Sequence, residues 1–146
     1  MNPYLALNTV VKLLESAKLS AWKSFSDPYF DSIKKWSSSF CVMPAGFNSE
    51  TPQESGAGRL GMYSFRVRIY SHQKEDIDGD SALKFLYETQ LEKLLDALCG
   101  SQGIDPNYFQ GVIFLTNISE PGKAYLDKED FLRFVDCNFQ VYLGLF

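Results

Sequence analysis

The sequence has few of the residues on which catalytic and metal sites are usually built. Among its 146 residues there is one histidine, His72, and there are three cysteines, Cys41, Cys99 and Cys137. The odd cysteine count and wide spacing predict neither a disulfide framework nor a zinc site, and favour reduced thiols. Ser-His-Asp or Cys-His catalysis would have to use His72, around which there is no nucleophile motif. We therefore expect no enzyme activity, no metal and no cofactor.

The chain also lacks an excess of positive charge and any long apolar run. Its 14 Lys and Arg residues face 18 Asp and Glu, which gives a formal net charge of -4. This balance argues against a sequence-independent nucleic-acid binder, because such a protein needs cations to displace counterions from phosphates. No segment approaches the roughly 20 apolar residues of a membrane span, and the first residues lack the basic region of a secretion signal. We expect neither a membrane protein nor a secreted one.

Aromatic side chains, by contrast, are abundant, with 12 Phe and 8 Tyr. The overall composition is 45% apolar and 22% charged, which is typical of one ordinary globular domain. Aromatic enrichment on this scale predicts a large core or surfaces that become buried against partners.

Apolar periodicity predicts two main helices. Residues 3–19 and 81–98 repeat apolar side chains at three- and four-residue steps, which is typical of amphipathic helices. Pro3 suits the first turn of the first helix, and Gly100 suits the end of the second. A weaker helix signal follows Asp27 and Pro28.

Strands are predicted from alternation and from short apolar runs. Residues 63–71 alternate between an apolar face and a face that carries Arg66 and Arg68. The apolar run within residues 111–118 favours a central strand that is covered on both faces. Further strands are expected at residues 40–43 and within residues 131–145.

These elements predict a single α+β domain over residues 1–146. We expect a mostly antiparallel sheet of about four to five strands, with the two main helices packed on one face. Two long connections are predicted, a loop at about residues 44–61 and a turn at about residues 118–130.

Two loop motifs invite a ligand-binding interpretation, and neither fits the required geometry. A calcium loop that starts at Asp76 should have glycine at its sixth position and glutamate at its twelfth. Here Gly79 is at the fourth position and Tyr87 is at the twelfth, so an acidic turn that caps a helix is the better interpretation. The glycine-rich segment 56–61 runs toward a strand, whereas a phosphate loop opens a helix. The Arg66 and Arg68 face fits equally an acidic partner or solvent.

The order of elements resembles the tail terminator (tail completion) proteins of tailed bacteriophages. The resemblance covers most of the chain and is a pattern of elements, not a signature motif. It rests on the amphipathic helix Tyr4–Leu19, a long Gly/Pro loop before Tyr63-Ser-Phe-Arg-Val-Arg-Ile-Tyr70, the helix Ala82–Leu98, the Glu120-Pro121 turn, and closing segments at residues 131–136 and 139–143. Residues 20–36 would be an insertion relative to a minimal member.

The resemblance implies a homo-oligomeric ring, typically a hexamer, that caps the phage tail tube, ends its polymerisation and joins the tail to the neck. The implied partners are tail tube protein, a neck or head-closure protein and sheath protein, and genomic DNA passes the ring without sequence-specific binding. The implied location is the tail–neck junction of the virion, after synthesis in the bacterial host cytoplasm. The candidate interface residues are Arg59, Phe65, Arg66, Arg68, Tyr70, Tyr125 and Tyr142.

Three alternatives stay open at the level of sequence. The first is a head-closure or other neck protein of a phage. The second is a small adaptor module that binds a cellular protein. The third is an enzyme whose site is assembled at subunit boundaries, although no residue pattern favours it.

Overall fold

A computed structural model describes residues 3–24, 38–49, 60–72, 80–99, 113–125 and 131–144. One sheet organises these residues, and its strands follow the order β1-β2-β3-β6-β4, with β5 also paired to β6. All pairings are antiparallel except the parallel pair of β1 and β2. The strands are β1 Ser20–Lys23, β2 Ser39–Ser49, β3 Leu60–Ser71, β4 Phe114–Ile118, β5 Gly122–Tyr125 and β6 Phe131–Gly144. The expectation of a mostly antiparallel sheet is confirmed.

The sheet has six strands, more than the four to five that were predicted. Two strands lie where none was predicted, namely the four-residue β1 and β5. β4 and β5 pair with successive halves of β6, opposite residues 137–140 and 131–134. Pro121 lies between the two strands and has no amide proton to donate to a ladder. One edge of the sheet is therefore interrupted, and the predicted turn at residues 118–130 contains a strand.

Two helices pack on one face of the sheet, as predicted. The first is α1, Pro3–Ser16. The second helix (residues 80–98) consists of α2, Asp80–Lys84, a π-helical segment, Phe85–Gln90, and α3, Leu91–Leu98. Both contribute buried leucines to a core whose sheet side comes from alternate residues of β3 and β6. These sheet residues are Tyr63, Phe65, Val67, Ile69, Val135, Cys137, Phe139 and Val141.

The end of α1 is a Schellman motif with an unusual residue at its left-handed position. The Leu19 amide donates to the Leu14 carbonyl at 3.0 Å, and the Lys18 amide donates to the Glu15 carbonyl at 2.9 Å. Leu19 also packs against the core that contains Leu14, which is the apolar contact typical of this motif. Lys18 has a φ of 64°, a conformation that glycine adopts at lower cost.

We therefore expect Lys18→Gly to stabilise the fold by about 0.5–1 kcal/mol, because it removes the strain between Cβ and the backbone. Chemical denaturation of both proteins measures the change. Lys18→Ala is the matched control, since it removes the same charge and keeps the Cβ. A loss of stability in the glycine variant would contradict this explanation.

The predicted loop at residues 44–61 is shorter in the structure, because β2 continues to Ser49 and β3 begins at Leu60. The register of β2 against β3 shifts between Pro44 and Gly46, and Gly46 has a φ of 124° that accommodates this bulge. Pro44 is tolerated because β1 reaches only Val42 on its side of β2.

The apolar run within residues 111–118, which was predicted as a central strand, does not lie at the centre of the sheet. β4 pairs only with β6 among the described strands, so it lies at an edge. Several other expectations fall outside the described residues, namely the helix signal after Asp27 and most of the glycine-rich and acidic segments.

Candidate assembly surface

The face of the sheet opposite the helices, here called the far face, carries most of the candidate residues. Its rows are set by the register of β3 against β6, since directly paired residues point to the same side. Neither helix contributes a side chain to the hydrophobic cluster on this face, as far as the described residues extend. The rows are Tyr70–Phe134, Arg68–Asp136, Arg66–Asn138, Ser64–Gln140 and Met62–Tyr142.

Arg68 uses its guanidinium group inside the subunit. Its Nε donates to Asp136 Oδ1 at 2.7 Å, and its second contact runs from Nη2 to Oδ2 at 3.1 Å. The guanidinium carbon also lies 3.9 Å from the centroid of the Phe134 ring. The hydrogen bond to Asp136 raises the pKa of Arg68, so the Arg68 guanidinium group stays protonated. This bidentate, stacked geometry is the strong form of an arginine–carboxylate contact.

The ring of Phe134 lies over Gly122, its paired residue on the neighbouring strand β5. A Cβ built on Gly122 would lie 2.7 Å from the Cζ of that ring. A Cβ at this position would push the tip of the Phe134 ring, so glycine allows the ring to stay stacked on Arg68.

Tyr70 lies beside this stack and is only 5% exposed. It shares a small hydrophobic cluster with Cys41 and Leu132. Burial raises the pKa of Cys41 to about 11 and that of Tyr70 further above its usual value. Arg68 and Tyr70 were predicted at the assembly interface, but their side chains belong mainly to the packing of the subunit itself.

The other half of the far face is more open and has unused hydrogen-bonding capacity. The Nε of Arg66 is buried and has no hydrogen-bond partner among the residues that the structure describes. Tyr142 is 41% exposed, and Phe114, which pairs with Gln140, is 38% exposed. Within this half, Gln140 Nε2 donates to Ser64 Oγ at 3.3 Å. We call this half the polar–aromatic half. It consists of Met62, Ser64, Arg66, Phe114, Asn138, Gln140 and Tyr142.

The structure separates the remaining predicted site residues. Phe65 is fully buried on the helix side, with its ring 5.4 Å from that of Phe139, so its side chain is not available to a partner. Tyr125 is 64% exposed, but it lies at the end of β5, away from Arg66. Arg59 lies outside the described residues. Of the predicted set, only Arg66 and Tyr142 share the polar–aromatic half.

Sequence reasoning missed the neighbours that complete this surface, namely Phe114, Asn138 and Gln140. Phe114 was assigned to a covered central strand, whereas it lies on an edge. The alternation of β6 could have identified Asn138 and Gln140, because they have the same parity as Tyr142.

Two cysteines of the described residues, Cys41 and Cys137, are buried thiols. Burial raises the pKa of the Cys137 thiol to about 12, so Cys137, like Cys41, stays protonated at neutral pH and is a poor nucleophile. Within the described ranges, no three His, Cys, Asp or Glu side chains are grouped closely enough to hold a metal ion. The same ranges contain no helix with the length and apolar character needed to cross a membrane.

Similarity to known proteins is found among solved structures. No protein-family model matches the chain, and no curated protein matches it. Among solved structures, the chain is similar to one from the virion of a native gene transfer agent particle, with 11% sequence identity and a TM-score of 0.49. That alignment covers 98% of this chain and 92% of the other.

Proposed function

We propose that this chain is a structural, non-catalytic virion subunit that acts as a tail terminator. In this proposal, copies of the chain form a ring at the tail–neck junction of a phage virion. The ring caps the tail tube, ends its polymerisation and provides a surface for the neck protein. The proposal builds on the order of elements in the sequence and on the composition of the polar–aromatic half of the far face.

The observation that carries the proposal is the burial of the Arg66 Nε without a hydrogen-bond partner among the described residues. A buried donor without a partner costs roughly 1–3 kcal/mol. We propose that the half-buried Arg66 side chain turns toward a bound protein, where a carboxylate or carbonyl group would offset that cost. Tyr142 and Phe114 add exposed aromatic area on the same face of the sheet, and arginine and aromatic residues are enriched at the centres of protein interfaces.

The edge of the sheet formed by β4 and β5 favours contacts through side chains over the addition of a strand from another chain. The register of β4 shifts between Leu115 and Asn117, and Pro121 interrupts the edge before β5 begins. Bulges, proline and lysine on an edge strand all oppose pairing with another chain, and Lys123 is exposed on β5. On this side of the sheet we therefore assign assembly to side chains on its faces.

Native mass spectrometry and light scattering test the proposal on the purified chain and on the chain mixed with tail tube protein. We expect closed assemblies of about six subunits, alone or on the tube, since cyclic rings need one repeated heterologous contact. A chain that stays monomeric under all conditions and never joins tail tubes would contradict the proposed function.

Charge reversal at Arg66 tests whether this residue contributes to assembly and not to the stability of the subunit. We expect Arg66→Glu to weaken assembly by about 30-fold, as for a hot-spot residue worth about 2 kcal/mol. The isolated subunit should lose no more than about 1 kcal/mol of stability, because Arg66 Nε has no described partner to lose and its unpaired burial is itself unfavourable. Sedimentation velocity and thermal denaturation measure the two effects.

Lys12→Glu is the control for Arg66→Glu, because it makes the same change of charge on the exposed side of α1. We expect it to leave assembly within about twofold of the wild type, since isolated surface charges contribute little. Equal effects of the two variants would mean that Arg66 acts only through the net charge of the chain.

A further inference from the structure

A second surface lies on the β5–β6 hairpin and is both cationic and aromatic. Lys123 pairs with Arg133, and Tyr125 pairs with Phe131, so these four side chains point to the same side of the hairpin. Lys123 Nζ lies 4.8 Å and Arg133 Cζ lies 5.4 Å from the centroid of the Phe131 ring. Tyr125 packs against the same ring at 5.6 Å and is largely exposed. We call these four residues the hairpin patch.

The second helix carries the opposite charge on its exposed side. Glu88, Glu92 and Asp96 are all exposed and follow one another at four-residue steps, and we call them the helix stripe. None of them has an ion pair within the described part of the chain. Like charges at this spacing destabilise a helix by a few tenths of a kcal/mol for each pair, and a cationic partner would reverse that cost.

Other charges on this side of the helix do not cancel the stripe. Lys84 and Lys93 are exposed as well, but with Asp80 the side has four carboxylates against two lysines. Tyr87 is a further exposed aromatic residue beside the stripe. The helix therefore presents a net negative surface with an aromatic side chain, which complements the hairpin patch in charge and in type.

We propose that the hairpin patch of one copy binds the helix stripe of the next copy. This inference rests on the proposed function, because it assigns a contact, separate from that of Arg66, that would repeat around the ring. The two surfaces lie on different elements of the subunit, so the contact is heterologous, and a contact of this kind closes into a ring when its rotation permits. A second copy is the occupant because the chain itself carries both surfaces and their charges are complementary. Lys123 and Tyr125 are exposed on the hairpin patch, and all three carboxylates are exposed on the helix stripe.

Charge exchange tests the contact directly. We expect Lys123→Glu and Glu92→Lys each to weaken self-association about tenfold at low salt, since each places like charges opposite one another. Combining Lys123→Glu with Glu92→Lys in one chain should restore self-association to within about threefold of the wild type, because the pair is reformed with its charges exchanged. Sedimentation velocity over a range of concentrations measures this, with circular dichroism as the check of folding.

The outcomes separate this inference from the proposed function. If the wild type forms rings and the combined variant assembles no better than either single variant, the hairpin patch does not meet the helix stripe. The inference is also overturned if Lys123→Glu reduces binding to tail tube protein alone and leaves self-association intact. If the wild type neither forms rings nor joins tubes, the proposed function itself fails.

Discussion

Replacement of Phe65 by alanine is expected to cost about 3–5 kcal/mol of folding free energy, because it leaves a large cavity in the core. Phe65 is fully buried, and its ring stacks between those of Tyr63 and Phe139, at 5.9 and 5.4 Å. A domain of this kind has a total stability of about 5–15 kcal/mol, so the variant should be partly unfolded or close to it. Urea denaturation followed by circular dichroism measures the loss.

Tyr142→Ala is the matched control, because it also removes an aromatic ring but from the exposed, far face of the sheet. We expect it to cost less than about 1 kcal/mol of stability and to weaken assembly. A Phe65→Ala subunit that is as stable as the wild type but fails to assemble would place Phe65 at the interface, as the sequence suggested, and would contradict the packing described above.

Removal of Arg68 is expected to destabilise the subunit by about 2 kcal/mol. In Arg68→Ala the carboxylate of Asp136 loses two hydrogen bonds, and the Phe134 ring loses its stacked cation. Breaking a fully buried ion pair from one side costs about 3–5 kcal/mol. The expected cost here is smaller, because the two side chains are 29% and 13% exposed and solvent screens the pair.

A double-mutant cycle with Asp136→Ala isolates the pair itself. We expect a coupling energy of about 1–2 kcal/mol between Arg68 and Asp136, in the range found for residues in direct contact. Additive effects of the two substitutions would show that Arg68 acts independently of Asp136. The two arginines lie on the same face of β3, but their substitutions are expected to have different effects. Arg66→Glu should weaken assembly, whereas Arg68→Ala should lower the stability of the subunit.

The parts of the fold with strong periodicity could be predicted from the sequence. Both helices and the strand that contains Arg66 and Arg68 were found because an element with one buried face repeats its apolar residues at a fixed step. β1 was missed because four residues, Ser20–Lys23, are too few to show a period. The end of β2 was missed because Pro44 and Gly46 are typical of loops, and only the bulge explains their place in a strand.

The candidate surface could be predicted only in part, for a different physical reason. Alternation along β3 separates Phe65 from Arg66 and Arg68, so parity alone could have placed Phe65 in the core. It does not distinguish Arg66 from Arg68, because that difference depends on which residues of β6 lie opposite. Asp136 lies opposite Arg68 and Asn138 opposite Arg66, and this register is fixed by packing between segments far apart in the sequence.

The most direct test of the proposed function is electron microscopy of tail tubes polymerised from the phage tail tube protein with and without this chain. We expect rings of the chain at one end of each tube and a shorter, bounded tube length, and we expect Arg66→Glu to leave the tubes uncapped. Tubes of unchanged length without the chain at either end would contradict the assignment of this protein as a tail terminator.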